Sequence, residues 1–286
     1  MKICFSLFSQ LFSGASFSPN PSFGHPVPYQ TPSVSKMLNQ ITSNLAIVTK
    51  YPTLNDVPVF VDECDPVVGY KYGMYDNANY IVCNTEYYPS VVASIIYNVL
   101  LLSPRIKLIT TSAFYLDGKR MFEGNRMLVT NYNIYLPILN GLKLIEKLKT
   151  NKLSIDITNN TIPLNGFCTL DGTNSNIQLL LFSHVDDYKF TANQNLKIVF
   201  NRIKSKFVLV EHYKIDANNN NTYSEWVKMG KPDYLNDQQL TYFQNYQHLK
   251  PFSPPTVYQV ENNTLVLDSL NISAHSVDFF EIISID

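Results

Sequence analysis

Cysteine is sparse in this chain and widely scattered. Cys4, Cys64, Cys83 and Cys168 form no Cys-x-x-Cys pair and no Cys/His cluster. That spacing lacks the pattern of a zinc site and gives no disulfide framework, so neither a metal nor another cofactor is expected. An excess of charge is also missing. The 22 Lys and Arg balance 23 Asp and Glu, and a net charge of −1 leaves no electrostatic footprint for nucleic acid. No apolar run approaches the roughly 18 residues of a membrane span without polar interruption. Near the start, residues 1–16 combine a basic residue with an apolar stretch, but Ser and Gln interrupt it repeatedly, which makes it a weak signal-peptide candidate.

The chain does have the makings of a core. Apolar residues make up 45% and charged residues 16% of 286 positions, which is enough for two modest domains. The 19 Tyr and 17 Phe are mostly core material by the ordinary reading, although rings are also what sugars stack on. Asn218, Asn219, Asn220 and Asn221 read as a solvated loop just before a strand containing Trp226.

Periodicity divides the chain in two. Residues 33–50 read as a helix with Met37, Ile41, Leu45 and Val48 at helical spacing. Residues 88–100 form a second helix, with Pro89 in its first turn and no breaker. A strand over 108–113 follows, and then a third helix over 137–149 that places Ile138, Leu142, Ile145 and Leu148 on one face. That alternation is of α/β type. Beyond Thr150 the pattern changes to short strands at 153–157, 177–182, 196–200, 207–212, 265–267 and 277–283, expected to build an antiparallel β-sandwich. The domains are accordingly 1–150 and 151–286. His184, His212, His248 and His275 are dispersed, as strand or loop residues are.

The most informative stretch runs from Val57 to Tyr70. An apolar run ends abruptly in Asp62-Glu63-Cys64-Asp65-Pro66-Val67-Val68-Gly69-Tyr70. It reads as a buried strand that delivers a carboxylate to a site, since parallel barrels carry their chemistry at the carboxyl ends of their strands.

The same stretch resembles the strand-seven motif of glycoside hydrolase family 39, in its α-L-iduronidase branch, where Asp-Glu-Ala-Asp-Pro-Leu-Val-Gly-Trp surrounds the nucleophile. Lys107 to Phe114 looks like the family's strand eight. Asn125-Arg126-Met127-Leu128 is similar to a following Gln-Arg-Thr-Leu segment, and Ser224 to Pro232 to a Gly-Glu-Trp-x-x-Leu-Gly-Arg-Pro segment of the β-sandwich. The resemblance implies the end of a (β/α)8 TIM barrel followed by the sandwich. Such a barrel takes about 250 residues by itself, so Glu63 on its seventh strand implies a truncated chain that lacks at least five strands. The family's acid/base lies in an Asn-Glu-Pro segment, and that triplet occurs nowhere in this sequence.

By the same resemblance the chemistry is retaining glycoside hydrolysis on a glycan or glycosaminoglycan-like substrate, with Glu63 as nucleophile. Gly69 would let the backbone approach the sugar. Tyr70 stands where the family has Trp, with a smaller stacking face. Asp117 and Arg126 lie in the loop after strand eight, among substrate contacts, and His25 corresponds to the His ending strand six. The family's Lys two residues on is Val27 here. Asp62 and Asp65 are read as turn-fixing residues, and Cys64 as a small buried one. A lysosomal or secreted location goes with the family. The competing function classes are a non-catalytic carbohydrate-binding module and a structural interaction module.

Overall fold

The computed structural model describes residues 15–17, 33–62, 64, 73–76, 78–110, 120–123, 128–173 and 175–285. Its first part is a three-stranded parallel sheet in the order β1 (Ala15–Phe17), β2 (Val59–Val61), β3 (Ile106–Ile109). Helix α1 (Val34–Thr49) precedes β2 and α2 (Tyr87–Leu102) precedes β3. Helix α1 begins where its first amides find acceptors. Ser33 is the N-cap and accepts from the Lys36 amide at 3.2 Å. Asp186, far along the chain, accepts from the Val34 amide at 3.0 Å, a carboxylate set against the positive end of the helix. Val59 and Val61, both 0% exposed, turn one face of β2 into a cluster with Met37 and Ile41 of α1 and Val91 and Ile95 of α2.

Helix α2 has hardly any polar face, because it is covered on two sides. Every residue from Tyr87 to Ile96 is buried. Val91, Val92 and Ile95 belong to the parallel-sheet core, whereas Ala93 belongs to a cluster with Leu180, Phe182 and Phe279 from the second part of the chain. Helix α3 (Pro137–Glu146) crosses α2 closely. A Cβ on Gly141 would lie 2.6 Å from the Pro89 Cβ, so only glycine fits this crossing.

The remainder is antiparallel. A six-stranded sheet runs in the order β4 (Asn151–Leu153), β5 (Leu164–Leu170), β6 (Ile177–Ser183), β11 (Ser276–Ser284), β8 (Phe207–Ile215), β9 (Thr256–Gln259). The second sheet pairs β7 (Asn193–Asn201) with β10 (Thr264–Ser273). Strand β6 is buried at all seven positions, which explains its continuous apolar run. Ile177, Leu179 and Leu181 point to a core shared with Phe200, Leu265 and Leu267 of the second sheet. Leu180 and Phe182 point the other way, to α2 and α3. Burying each such side chain contributes about 1.5–3 kcal/mol. Gly166 of β5 is forced by the same closeness, since a Cβ there would meet the Leu180 carbonyl oxygen at 2.5 Å.

Several expectations need correction. The strand expected at 153–157 is β4, which ends at Leu153, and β5 and β9 were not expected at all. Helix α3 stops at Glu146, and the Lys149 amide instead meets Thr169 Oγ1 at 3.0 Å. Trp226 lies on a helix, α4 (Thr222–Lys228), and α5 (Asp237–Tyr246) follows, so the β8–β9 connection is a helical pair. Nor are the four asparagines a solvated filler. Asn221 is fully buried, N-caps α4 through the Ser224 amide and donates to Glu86 Oε2 at 2.8 Å. Asn220, with φ +50°, donates from Nδ2 to the carbonyls of Lys214 and Lys250.

Candidate active site

Strand β2 lies between β1 and β3, with Phe60 opposite Leu108 and Val61 opposite Ile109. All three strands are parallel, so their carboxyl ends share one side of the sheet. Pairing continues past the ends of β2 and β3. The Thr110 amide donates to the Val61 carbonyl at 3.0 Å, and the Cys64 amide to the Thr110 carbonyl at 2.7 Å. The Thr110 hydroxyl donates to Asp62 Oδ1 at 2.5 Å, tying the two strand ends together through side chains as well. Cys64 is 1% exposed, with its Sγ 3.5 Å from Met37 Sδ; a thiol in such apolar surroundings is inert packing.

Glu63 comes between Asp62 and Cys64 in sequence, and it lies outside the described residues. So do His25, Asp65, Gly69, Tyr70, Asp117 and Arg126. The surrounding frame is described. Residues 73–76, after β2, and 120–123, after β3, pack on one another. The Met74 amide donates to the Glu123 carbonyl, the Tyr75 hydroxyl donates to the Met121 carbonyl at 3.1 Å, and the Arg120 guanidinium lies 4.7 Å from the Tyr75 ring centroid. Phe122 holds this corner. It is 2% exposed, has φ +49°, and its ring lies 5.2 Å from Trp226 and 5.4 Å from Tyr223 of α4. A left-handed backbone at a bulky residue persists only where packing over-determines it.

Two polar knots join this frame to the antiparallel sheets. Glu86, just before α2, accepts from Asn221, and burial raises its carboxyl above the usual range against that hydrogen bond. His184, just after β6, contacts Ser90 Oγ through Nδ1 and Asp186 Oδ1 through Nε2, both at 3.2 Å. His275, between β10 and β11, reaches the Asp187 carbonyl at 2.9 Å. The Tyr87 ring lies 4.9 Å from His184 and 4.8 Å from His275. Burial lowers both imidazoles; for His275 burial and the neighbouring His184 together bring it to about 4. Burial acts to raise Asp186, yet the bonds from His184, Val34 and Ser33 hold it below its ordinary value. The Ser90, His184, Asp186 series lies inside the seam, with Ser90 0% and His184 8% exposed, so it fastens elements rather than meeting substrate. Sequence reading dispersed these histidines; their convergence is a product of tertiary structure.

Among the described residues no group of three or more His, Cys, Asp or Glu is placed to hold a metal ion. No described helix is long and apolar enough to cross a membrane. An open depression of about 550 Å³, lined by Thr42, Leu45, Thr49, Leu102 and Arg105, lies where β2 and β3 begin, at the end of the sheet away from Asp62.

The sequence profile of glycosyl hydrolases family 39 matches residues 24–256, most of the chain. The chain belongs to that family. A curated beta-xylosidase from Caldicellulosiruptor saccharolyticus is 25% identical over 157 residues, covering 54% of this chain and 31% of that protein. Among solved structures, the GH39 enzyme from Xanthomonas axonopodis pv. citri superposes with TM-score 0.69 at 14% identity, over 88% of this chain and 49% of that one. A bacterial orthologue of human α-L-iduronidase gives 0.76 at 14%, over 95% and 48%. A monomeric beta-xylosidase from Caulobacter crescentus CB15 gives 0.71 at 15%, over 89% and 51%. At such identities the structures show the shared fold. The family 39 chain described here thus spans about half the length of these solved relatives.

Proposed function

We propose that this chain is part of a retaining glycosidase of the α-L-iduronidase/β-xylosidase type, with Glu63 as its nucleophile. The observation that carries the reading is the family match over residues 24–256 together with the position of Asp62, at the carboxyl end of the central parallel strand, directly before Glu63. In this reading β1, β2 and β3 are the last strands of a (β/α)8 barrel, the two antiparallel sheets are the family's β-sandwich, and the boundary falls near residue 150. His25, Gly69, Tyr70, Asp117 and Arg126 line the sugar site, and an arginine there would suit a uronate carboxylate through a bidentate pair. The location that goes with this reading is lysosomal or secreted.

Retention needs a second carboxyl group about 5–5.5 Å from the nucleophile to protonate the leaving oxygen. The sequence offers no Asn-Glu-Pro segment to supply it. A missing general acid costs about 10²- to 10⁴-fold in rate. The polypeptide by itself is therefore expected to turn over no aryl β-xyloside or α-L-iduronide detectably. Assay of the purified chain beside Glu63→Gln tests the inactivity, and any turnover that appears tests the nucleophile. Robust turnover abolished by the substitution would overturn the inactivity, and turnover that survives it would overturn the nucleophile assignment.

A further inference from the structure

The connection between β8 and β9 presents an aromatic surface that the proposed active site does not use. Helix α5 is anchored from below by Phe243, which is 0% exposed, and its start is fixed by a capping box between Asn236 and Gln239. On its outer side the Tyr242 and Tyr246 rings lie 5.7 Å apart at an interplanar angle of 13°. Tyr242 is held by its hydroxyl, which donates to Glu225 Oε2 at 2.7 Å. Tyr242 nonetheless keeps 40% of its surface exposed. Tyr234, 71% exposed, stands in the loop that Trp226 fastens through its Nε1 bond to the Pro232 carbonyl at 2.8 Å.

What surrounds the rings narrows the choice of ligand. After Asp237, α5 carries no charged side chain at all. Gln238, Thr241 and Asn245 share the exposed face with Tyr242. An exposed helical face usually carries charges; this one offers amides and hydroxyls, groups that donate and accept at once, beside fixed ring faces. Two nearby charges are already engaged: Glu225 by Lys228 at 2.6 Å, and Lys250 by Tyr246, with its Nζ 5.5 Å from the ring centroid. The negative face of a ring attracts the C–H bonds of a pyranose, and the amides match its hydroxyls. The surface is also continuous with the frame of the candidate site, because α4 packs on Phe122.

We propose that Tyr234, Tyr242 and Tyr246 form a non-catalytic binding platform for an uncharged glycan chain, holding sugar units beyond those at the active site. The inference rests on the reading that this protein handles glycans, but it is tested by binding, which needs no turnover. Xylohexaose titrated into the full chain by calorimetry should bind, and Tyr242→Ala or Tyr234→Ala should weaken binding about threefold to tenfold, the worth of one aromatic contact. Tyr242→Phe, which keeps the ring face, should bind like the parent. Thermal unfolding of each variant shows that the fold is kept. No binding by the parent, or binding lost in Tyr70→Ala and unchanged in Tyr242→Ala and Tyr234→Ala, overturns the platform and leaves the glycosidase reading to the Glu63 assay. Concentration-dependent self-association abolished by Tyr242→Ala would overturn it as well, by assigning the face to a second copy.

Discussion

The parallel-sheet region and the antiparallel region solve the burial problem in opposite ways. The first covers one face of its sheet with α1 and α2, while Leu108 of β3 remains 43% exposed on the other. The second covers its large sheet on both faces, with β7 and β10 on one side and α2 and α3 on the other. The comparison teaches that α2 belongs to both regions. Its apolar residues are divided between two cores, so the stability of the candidate site depends on side chains more than a hundred residues away.

The most damaging test of that dependence is Phe279→Ala. Phe279 is 0% exposed, pairs with Leu180 and packs against the α2–α3 side, so its loss should cost about 3–5 kcal/mol. Denaturant unfolding should show both regions destabilised in one transition; separate transitions would break the claim of a shared helix. Next in size is a pH effect at the seam. His275 has an ordinary value of 6.5 and about 4 when folded. The unfolded chain therefore binds the proton first, and stability that is complete above pH 6.5 should fall as the pH drops toward 4. The expected loss is on the order of 2–3 kcal/mol. Asp186, Asp187, His184 and Tyr87 face the same knot; of these, His184 is lowered as well and adds to the loss below pH 6.5, whereas Asp186 is held low and adds its own loss only below the usual carboxylate range. His275→Asn should make the slope between those two pH values shallower, leaving the part that belongs to His184, as read by unfolding midpoints.

Asn221→Ala should cost about 2 kcal/mol, the high end for a cap, because it also removes a partner of the buried Glu86. A loss near zero would mean that the asparagine run is filler after all. The smallest expected effect, about 1 kcal/mol, belongs to Asn236→Ala, which unties the exposed capping box of α5 alone. Its melting temperature should drop while the pH slope of the seam stays unchanged.

How much of this was legible follows from the kind of signal involved. Helix α1 could be read because Met37 and Ile41 keep helical spacing, and α2 because an apolar run of that length has no breaker. Strand β5 was missed because Asn165, Gly166 and Cys168 disrupt the alternation; Gly166 is required by contact with β6, which no local pattern shows. Helices α4 and α5 were missed because Trp226 was matched to a strand, although Asn236 and Gln239 carry the spacing of a capping box in plain sight. Glu63 is a different case. The motif around it identifies the family, while hydrophobic periodicity says only that a strand ends there. Thr110 gained meaning only from its register with Asp62.

Phe122 carries a consequence for how such a protein can change over generations. Its ring is gripped by Tyr223 and Trp226, which belong to a connection inside the antiparallel region. Recombination that exchanged one region for a distant cousin's would have to deliver matching rings on the other, or leave the loop after β3 without its clasp. The two halves are bound to be inherited together, and drift in the helical connection is answerable to residues 120–123 across the seam.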